Sequence, residues 1–585
     1  MTAPNRNALW GETLVEELAA AGLEAACVSP GSRSTPLAVA LADHPGVTVY
    51  SHLDERSSAF FALGRGRRTG APTAVVCTSG TAAANFHPAI LEASEGRVPL
   101  VALTADRPAE LRDSGANQTT DQEKLYGDAV RWYRTLPEPE PDARKLRSLR
   151  VAADRAVTEA TGTPPGPVHL NVPFRKPLEP TPVPGDVPES LSAEAPLAVK
   201  GRDGPFVRTT GGCPGPDEAD VAALATAVDA TERGLLVCGP ADPPSPGPTP
   251  DALVAFVGAT GFPVLADPLS GHRFGPHVPD LPVCGGYDSY LDADDWPDPE
   301  LVVRTGASPT SKVLRKYLRD AGARQVLVDP AGSWREAEFT ATDLVASDPT
   351  RLLDRLAGAV TDGGDMGWRE RFVRAEDRYW SLVSEACRER FFEGAVLREV
   401  ARLAPDPATL FVSNSMPVRD LDRFGPPRAA DVTALGNRGV SGVDGVTSTA
   451  LGAGSATGNP LVLVTGDLAY YHDTNGLLAP GRCDVDATVV LLNNDGGGIF
   501  HMLPIEECDP PFTEQFKTPH GLDFAPTGDL YDLEFRRVEG RASFAAAFEE
   551  SVGADGTQVI EIRTAAEASH RFRERLHGRV CEELP

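Results

Sequence analysis

Two apolar segments in the last third of the chain end in residues whose side chains carry oxygen ligands. The first segment, LVLVT, runs into Gly466 and Asp467, and the second, ATVVLL, runs into Asn493 and Asn494. Short apolar runs that stop at turn residues are typical of buried β-strands. The stretch from Asp467 to Asn493 is long enough for a helix and a return strand, and a right-handed crossover places two such strands side by side.

This arrangement predicts a cation site where the two strands end. The carboxylate of Asp467, the amide oxygen of Asn494 and the backbone carbonyl of Gly496 form an all-oxygen set of ligands. Mg²⁺ prefers such ligands and usually shares its coordination shell with phosphates of a bound molecule. We therefore expect Mg²⁺ (or Mn²⁺) here, with a diphosphate bound to it. Two ordinary turns are the alternative, because Gly-Asp is common in turns.

The elements around these residues alternate between strands and helices along the whole chain. Apolar runs such as TAVVC and LVVRT are followed by helical stretches, which predicts parallel sheets covered on both faces. The fold class is therefore α/β, with three doubly wound parallel-sheet domains, at residues 1–185, 205–355 and 370–585. Residues 180–205, rich in Pro and Gly, are predicted to form a linker. In open parallel sheets ligands bind beyond the carboxyl ends of the strands, so we expect the chemistry there.

Composition excludes several classes of function. The 83 acids against 55 bases give a net charge of −28, which argues against nucleic acid as a partner. With Lys rare and acids in excess, we interpret the surface as halophilic, adapted to a salt-rich cytoplasm. A GC-rich genome would explain Arg over Lys but not the excess of acids. The sequence has no long apolar run and no basic start before an apolar core, so we expect neither a membrane span nor a signal peptide. Nine scattered cysteines without a CxxC pair indicate reduced thiols and a cytoplasmic location.

The residues at the two strand ends resemble the binding motif of thiamin diphosphate enzymes, in which GD ends one strand and NN ends the next. Leu468 departs from that motif, since many such enzymes have Gly or Ala there. The resemblance implies a second half-site, a Glu in another domain that contacts the pyrimidine ring of the cofactor and assists its deprotonation. Glu55 in SHLDERSSAFFALG matches this Glu. A helix dipole alone would also favour a carboxylate at this place.

Longer blocks resemble one family of this group, the 2-succinyl-5-enolpyruvyl-6-hydroxy-3-cyclohexene-1-carboxylate synthases (MenD) of menaquinone biosynthesis. They include VSPGSRSTPLAVAL, VPLVALTADRPAELRDSGANQTTDQEKLYG, SNSMPVRDLD, GDLAYYHDTNGLL and NNDGGGIFHMLP. They cover most of the chain, and the match is loosest at residues 205–355. The resemblance implies a transferase that decarboxylates 2-oxoglutarate and adds the resulting succinyl carbanion to isochorismate. It also names the three domains as pyrimidine-binding, middle and diphosphate-binding.

The resemblance assigns residues to this reaction, with Glu55 as the catalytic residue. The cofactor-binding positions are Glu55, Ser415, Met416, Gly466, Asp467, Asn494 and Ile499. The substrate-binding positions are Ser32, Arg33, Arg107, Asn117, Gln118, Arg419, Arg438, Phe500 and Leu503. Both substrates carry carboxylates, and the planar fork of Arg matches a carboxylate. Ile499, Phe500 and Leu503 would form a dry apolar wall over the reacting carbon.

The resemblance also bears on the assembly, and two rival functions stand beside it. In the family the Glu and the cation site meet across a subunit interface, so the resemblance implies a homodimer or homotetramer. The nearest rival function is that of another thiamin diphosphate enzyme, such as acetolactate synthase or a 2-oxoacid decarboxylase, although the arginines suit dicarboxylates better than pyruvate. A nucleotide- or NAD-binding regulator is the rival from another class, and the lack of a convincing GxGxxG after the first strand counts against it.

Overall fold

A computed structural model describes residues 3–242, 247–361 and 363–584. The predicted domain ends at residues 1 and 585, and residues 243–246 of the predicted middle domain, lie outside the described residues. The described chain contains three six-stranded sheets in which every strand pair is parallel. The predicted α/β class with three doubly wound parallel sheets is confirmed.

The first sheet has the strand order β2-β1-β3-β4-β6-β5. Its strands are β1 (Ala25–Val28), β2 (Thr48–Ser51), β3 (Thr73–Cys77), β4 (Leu100–Asp106), β5 (Trp132–Thr135) and β6 (Pro167–Pro173). The helices of this region are α1 (Arg6–Ala20), α2 (Thr35–Asp43), α3 (Glu55–Thr69), α4 (Thr81–Ala84), α5 (His87–Glu95), α6 (Ala143–Ala160), α7 (Leu191–Glu194) and α8 (Pro196–Lys200). Strand order reverses beside β1, so the crevice between β1 and β3 is the expected place for ligands.

The second sheet has the order β12-β11-β10-β7-β8-β9. Its strands are β7 (Gly234–Cys238), β8 (Val264–Ala266), β9 (Val283–Cys284), β10 (Leu301–Thr305), β11 (Arg324–Val328) and β12 (Asp343–Val345). The helices are α9 (Glu218–Asp229), α10 (Pro250–Thr260), α11 (Tyr287–Tyr290), α12 (Lys312–Asp320), α13 (Pro349–Ala359) and α14 (Met366–Glu389). This is the strand order of dinucleotide-binding sheets, but a Cβ on Gly239 would lie 1.8 Å from the carbonyl oxygen of Ala307. The loops after β7 and β10 therefore touch where a dinucleotide would enter.

The third sheet, β14-β13-β15-β16-β18-β17, repeats the order of the first. Its strands are β13 (Ala408–Val412), β14 (Val432–Leu435), β15 (Leu461–Gly466), β16 (Thr488–Asn493), β17 (Glu534–Arg537) and β18 (Gln558–Arg563). The helices are α15 (Glu393–Leu403), α16 (Met416–Phe424), α17 (Val446–Gly454), α18 (Asp467–His472), α19 (Ala479–Cys483), α20 (Pro526–Tyr531), α21 (Arg541–Ser551) and α22 (Ala566–Glu583). The predicted pairing of β15 with β16 is confirmed, with Gly466 opposite Leu492.

The chain divides into two compact units. Unit 1 comprises the described part of Met1–Gly211 together with Asn437–Thr457 and Asp473–Val485, and unit 2 comprises the remaining segments. Unit 1 contains the first sheet and helix α17, and unit 2 contains the second and third sheets. The three predicted domain ranges stay a prediction.

Part of the core of unit 1 is an apolar cluster on the first sheet, with Trp10 and Phe174 fully buried. The predicted linker at 180–205 differs from expectation, because it contains α7 and α8 and packs on α6. Arg150 of α6 donates hydrogen bonds to the carbonyl oxygens of Ala198 and Val199, at 3.0 and 2.7 Å. None of the described helices combines the length and the apolar character that a membrane crossing requires.

Candidate active site

Asp467 and Asn494 lie next to each other at the carboxyl ends of β15 and β16. Asp467 is buried, and its Oδ2 accepts hydrogen bonds from the backbone N–H groups of Asn494 and Gly496, at 3.1 and 3.0 Å. Its Oδ1 accepts the N–H of Leu468 at 2.7 Å. These bonds fix the carboxylate at the place where the two strands end. They also bring together the three residues that the sequence predicts as cation ligands.

The side-chain oxygen of Asn494 supports a cation at this place. It is buried and accepts no hydrogen bond from a described residue, and a buried polar atom without a protein partner is a place for a bound ion or water. The carbonyl oxygen of Gly496 accepts one bond, from Gly498 N at 2.9 Å, and keeps a second lone pair. No group of three or more His, Cys, Asp or Glu in the described residues could hold a metal. The oxygen set fits Mg²⁺, which takes few carboxylates and shares its shell with phosphates.

Asn493 and Asn494 have different partners. The amide of Asn493 donates to Oε1 of the fully buried Glu561 at 2.7 Å, so it belongs to the core of the sheet. The Nδ2 of Asn494 lies 3.5 Å from Oε1 of Glu393, which also accepts a 2.7 Å bond from Thr564 Oγ1. This contact orients the Asn494 amide so that its oxygen, rather than its nitrogen, is the unpaired atom.

The glycine run after Asn494 allows a close backbone approach. Gly496 has φ +127°, and a Cβ there would lie 2.0 Å from the carbonyl oxygen of Lys517. Gly497 N donates to the same carbonyl at 2.7 Å. The segment that contains Lys517 therefore packs directly on the turn that carries two of the predicted cation ligands, and only glycine fits at residue 496.

The loop after β13 lies at the point where the strand order of the third sheet reverses. Ser415 has the left-handed φ of 69°, and Met416 is buried at the start of α16. Arg419, one turn further on, donates from Nη1 to the carbonyl oxygen of Ser415 at 2.6 Å. Ligands of such sheets bind where the strand order reverses. The structure therefore puts these three predicted residues at the expected ligand crevice of the third sheet.

The predicted apolar wall is a short 3-10 helix, Gly498–Met502, and the residue after it. Ile499 and Phe500 are half-buried, and Phe500 packs edge-on against Phe516 with ring centroids 5.5 Å apart. Leu503 is 44% exposed. A partly exposed apolar edge next to the cation ligands leaves surface that a bound molecule could cover.

Glu55 is the first residue of α3 in unit 1. Asp54 caps this helix by accepting the N–H groups of Arg56 and Ser57, at 2.8 and 3.4 Å. Glu55 itself is half-buried and accepts no hydrogen bond from a described residue. Burial raises the pKa of the Cys77 thiol at the end of β3, and the nearby charge of Glu55 raises it further. Glu55 is therefore close to the carboxyl edge of the first sheet.

Arg33 and Ser32 follow β1 in a short 3-10 helix, Ser32–Ser34. The Arg33 side chain is buried, and its Nη1 donates to the carbonyl oxygen of Phe174 at 2.7 Å. Burial lowers the pKa of Arg33, and the nearby charge of Arg107 lowers it further. A buried guanidinium with a second cation beside it favours an anion as neighbour. Ser32 is exposed.

Arg107 begins the long loop after β4. It donates from Nη2 to the carbonyl oxygen of Asn117 at 2.6 Å, which folds the loop back toward the strand end. Gln118 has φ 54°, and its Nε2 donates to the carbonyl oxygen of Ser79 at 3.1 Å. Arg107, Asn117 and Gln118 are thus brought together with Ser79 at one edge of the first sheet. Arg438 also belongs to unit 1, in the segment that begins after β14.

The structure adds polar residues around the site that the sequence reasoning missed. Under the Arg107 loop, Asp106 accepts bonds from Arg107 N at 2.7 Å and from Asn171 Nδ2 at 2.8 Å. Gln122 donates to Asn171 at 3.0 Å. In unit 2, His520 Nε2 lies 3.3 Å from Asp467 Oδ2. The position of Asp106 at the end of β4 could have been noticed in the sequence. His520, in contrast, lies in a loop without a motif.

Comparison with known proteins agrees with this geometry. A family model described as thiamine pyrophosphate enzyme, N-terminal TPP binding domain, matches residues 10–125. The corresponding C-terminal TPP binding domain matches residues 429–562. Benzoylformate decarboxylase from Polynucleobacter necessarius has a similar fold, with a TM-score of 0.69 at 19% identity over 95% of this chain and 99% of that one.

Relatives of nearly full length share a single name, 2-succinyl-5-enolpyruvyl-6-hydroxy-3-cyclohexene-1-carboxylate synthase. The protein of Haloarcula marismortui is 64% identical and covers 100% of both chains. That of Halobacterium salinarum is 63% identical over 99% of both chains. That of Roseiflexus castenholzii is 49% identical over 96% of this chain and 97% of that one. The chain therefore belongs to the 2-succinyl-5-enolpyruvyl-6-hydroxy-3-cyclohexene-1-carboxylate synthase family of thiamine pyrophosphate enzymes.

Proposed function

We propose that this chain carries out its family's reaction as the resemblance describes it. It decarboxylates 2-oxoglutarate and joins the four-carbon remainder to isochorismate, with release of CO₂. The product, 2-succinyl-5-enolpyruvyl-6-hydroxy-3-cyclohexene-1-carboxylate, belongs to menaquinone biosynthesis. The structural observation that carries the proposal is the buried, unpaired Asn494 oxygen beside Asp467, a site built for a cation that binds a diphosphate.

Asp467, Asn494 and the Gly496 carbonyl hold Mg²⁺, or Mn²⁺, in this proposal. Ser415 and Met416 bind thiamin diphosphate at the end of β13, and Gly466 and Ile499 contact it near β15 and β16. When bound, thiamin diphosphate supplies the carbon nucleophile and the electron sink that allow a 2-oxo acid to lose CO₂. Gly466 suits this position because a Cβ on it would meet no described atom within 4 Å, which leaves open space beside the strand end.

Glu55 holds a proton between its carboxyl group and the pyrimidine ring nitrogen. Its carboxylate accepts no hydrogen bond from a described residue, so it remains available for a ligand. A carboxyl group in this role needs a fixed distance to its partner, because proton transfer depends on hydrogen-bond geometry. The capped first turn of α3 gives Glu55 a fixed backbone position.

The arginines bind the substrate carboxylates. Arg33 and Arg107 form a pair of positive charges at the edge of the first sheet, where Ser32, Asn117 and Gln118 add polar contacts. Arg419 and Arg438 supply further forks for carboxylates, and pyruvate, with one carboxylate, would leave some of them without a counter-charge. Ile499, Phe500 and Leu503 exclude water from the reacting carbon.

The assembly and the compartment are also proposals. Glu55 belongs to unit 1 and Asp467 to unit 2, and we propose that a homodimer or homotetramer brings them together between subunits. The nine cysteines are all free thiols, which supports a reducing cytoplasm.

The test of the function measures CO₂ release and isochorismate consumption with thiamin diphosphate and Mg²⁺ in high KCl. We compare 2-oxoglutarate with pyruvate, each with and without isochorismate. Consumption of isochorismate only with 2-oxoglutarate is the expected result. Turnover of pyruvate in its place would overturn the substrate assignment and leave a different thiamin diphosphate enzyme.

Mixing two inactive variants tests the shared site. We prepare Glu55→Gln and Asp467→Ala separately, dissociate them, and allow them to reassociate in equal amounts. If each site takes Glu55 from one subunit and Asp467 from another, the mixed dimers contain one intact site, and roughly a quarter of wild-type activity returns. An inactive mixture that has exchanged subunits would contradict sites between subunits.

A further inference from the structure

The segment that links the two cation-binding strands belongs to the unit that carries Glu55. Residues 473–485 lie between β15 and β16 in sequence, yet they pack within unit 1. We propose that Asn475 of this segment is a positioning residue for Glu55. The inference rests on the proposed role of Glu55 and deepens it.

The direct contact runs through the helix cap. Asn475 Nδ2 donates to Asp54 Oδ2 at 2.8 Å. The other oxygen, Oδ1, caps α3 by accepting the N–H groups of Arg56 and Ser57. One carboxylate is thus held on one side by Asn475 and on the other by the first turn of the helix. Because Glu55 follows Asp54 directly, a shift of the Asp54 backbone moves the Glu55 backbone.

Two further residues of the segment, Arg482 and Asp473, hold it against the rest of unit 1. Arg482 donates to the carbonyl oxygen and to the hydroxyl of Ser51, at the end of β2, with both distances 3.1 Å. The buried Asp473 accepts bonds from N and Oγ of Ser448, at 2.6 and 3.0 Å, and so fixes the start of α17. The segment is therefore anchored at both ends, and Asn475 is presented to Asp54 from a fixed backbone.

Glu55 depends on this support because its carboxylate forms no hydrogen bond with a described residue. The position of the carboxylate therefore follows from the backbone of the first turn. A reacting group must be held within about 0.5 Å of its working geometry, and an error of about 1 Å can cost a hundredfold in rate. Loss of the Asn475 contact is expected to cost less, since the Asp54 cap remains.

The experiment measures proton–deuterium exchange at the reactive thiazolium carbon of bound thiamin diphosphate, together with cofactor Kd, melting temperature and kcat. We expect Asn475→Ala to slow exchange and kcat by about tenfold, with cofactor Kd changed less than about threefold. The melting temperature should change by less than about 2 °C, because the lost bond is exposed. The matched control is Thr361→Ala, which removes a 2.9 Å exposed hydrogen bond to Asp229 in unit 2 and should leave all four values unchanged.

A paired exchange of side chains separates positioning from simple damage. Asn475→Asp alone sets two carboxylates against each other and should slow exchange more than Asn475→Ala does. Adding Asp54→Asn restores a carboxylate–amide pair, and the new amide is still a good helix cap, so exchange should return to within about threefold of wild type. The proposal is wrong if Asn475→Ala exchanges within twofold of wild type, or if the double variant stays as slow as the single one.

This measurement is independent of the substrates. Exchange at the cofactor is followed without 2-oxoglutarate or isochorismate. A wild-type protein that exchanges normally but does not consume isochorismate would overturn the proposed function and leave the role of Asn475 intact. Unaltered exchange in the Glu55→Gln variant would overturn the proposed role of Glu55 and, with it, that of Asn475.

Discussion

Adjacent residues with the same side chain have separate tasks at the end of β16. Asn493 is hydrogen-bonded to Glu561 within the sheet, whereas the Asn494 oxygen has no partner among the described residues. The end of the strand explains the difference, because Asn493 is the last residue of β16 and Asn494 begins the turn after it. The sequence pair NN thus combines one residue that holds the strand and one that is available to a ligand.

Replacing Asn494 should therefore affect the cation and not the fold. We expect Asn494→Ala to weaken Mg²⁺-dependent binding of thiamin diphosphate by about 10- to 100-fold. Tryptophan fluorescence during a Mg²⁺ titration at fixed cofactor measures this change. Asn459→Ala, before the amino end of β15, makes the same substitution at the other end of the strand and should bind as wild type does. Equal Mg²⁺ dependence in the two variants would argue against Asn494 as a ligand.

Glu55 gives a second prediction at this scale. Glu55→Gln keeps the size of the side chain but removes the acid, so kcat should fall by about 10²- to 10⁴-fold while thiamin diphosphate still binds. The control is Glu95→Gln, an exposed acid at the end of α5. Steady-state kinetics with both substrates measure the change. A fully active Glu55→Gln protein would be incompatible with the assigned role.

The buried His169 makes one part of the stability depend on pH. Burial lowers its pKa to about 3 from the ordinary 6.5. As pH falls below 6.5, the unfolded chain binds a proton that the folded protein refuses, so stability is lost, by about 2–3 kcal/mol at pH 4.5. His169→Gln removes this contribution. The stability difference between wild type and variant, measured by urea unfolding, should therefore shift in favour of the variant between pH 7 and pH 4.5, and a constant difference would contradict this account.

Among the elements, α3 and α17 pack with unusual closeness. A Cβ on Gly64 would lie 1.9 Å from the carbonyl oxygen of Thr449, and one on Gly452 would lie 2.0 Å from that of Phe61. Both neighbours are backbone atoms and cannot move aside as a flexible side chain does. The glycines therefore allow the helix that begins with Glu55 to touch α17 along its length.

This packing predicts a large effect from one methyl group. Gly452→Ala should destabilise the protein by about 3 kcal/mol, because the added atom forces the two helices apart. Gly258→Ala, in the last turn of α10 with no neighbouring atom within 4 Å of the added Cβ, is the control and should be neutral or slightly stabilising. Thermal unfolding of both variants measures the difference. Equal melting temperatures would show that the helices can separate without cost.

The comparison of sequence with structure is clearest at this scale. The neighbouring strands β15 and β16 could be predicted, because a crossover connection has a known hand and Asp467 and Asn494 mark its ends. The contact between Asn475 and Asp54 could not, since they are 421 residues apart and no local rule relates them. The helices α7 and α8 were missed because the Pro- and Gly-rich stretch 180–205 around them lacks a period, and packing against Arg150 stabilises them instead.

On the scale of the whole molecule, the charge of −28 is the dominant feature. Like charges on one surface repel one another, and dissolved ions shorten the range of that repulsion to about 3 Å at 1 M salt. We therefore expect the folded chain to gain stability from salt in its surroundings.

Melting in KCl tests this. We expect the melting temperature to rise by on the order of 10 °C between 0.2 M and 3 M KCl. Sucrose at matched osmolality is the control, because it favours compact states by exclusion without screening charge, and its effect should be smaller. The same melting temperature in low and high KCl would rule out salt adaptation.

The discontinuity of unit 1 has a consequence for protein synthesis. The first 211 residues emerge from the ribosome well before the segments 437–457 and 473–485 that complete their unit. Until α17 has been made, the face of α3 that packs against it has no partner, and the cap at Asp54 lacks Asn475. A nascent chain halted before Val446, the first residue of α17, would therefore expose this apolar face to chaperones or to other nascent chains, however well the first sheet has formed.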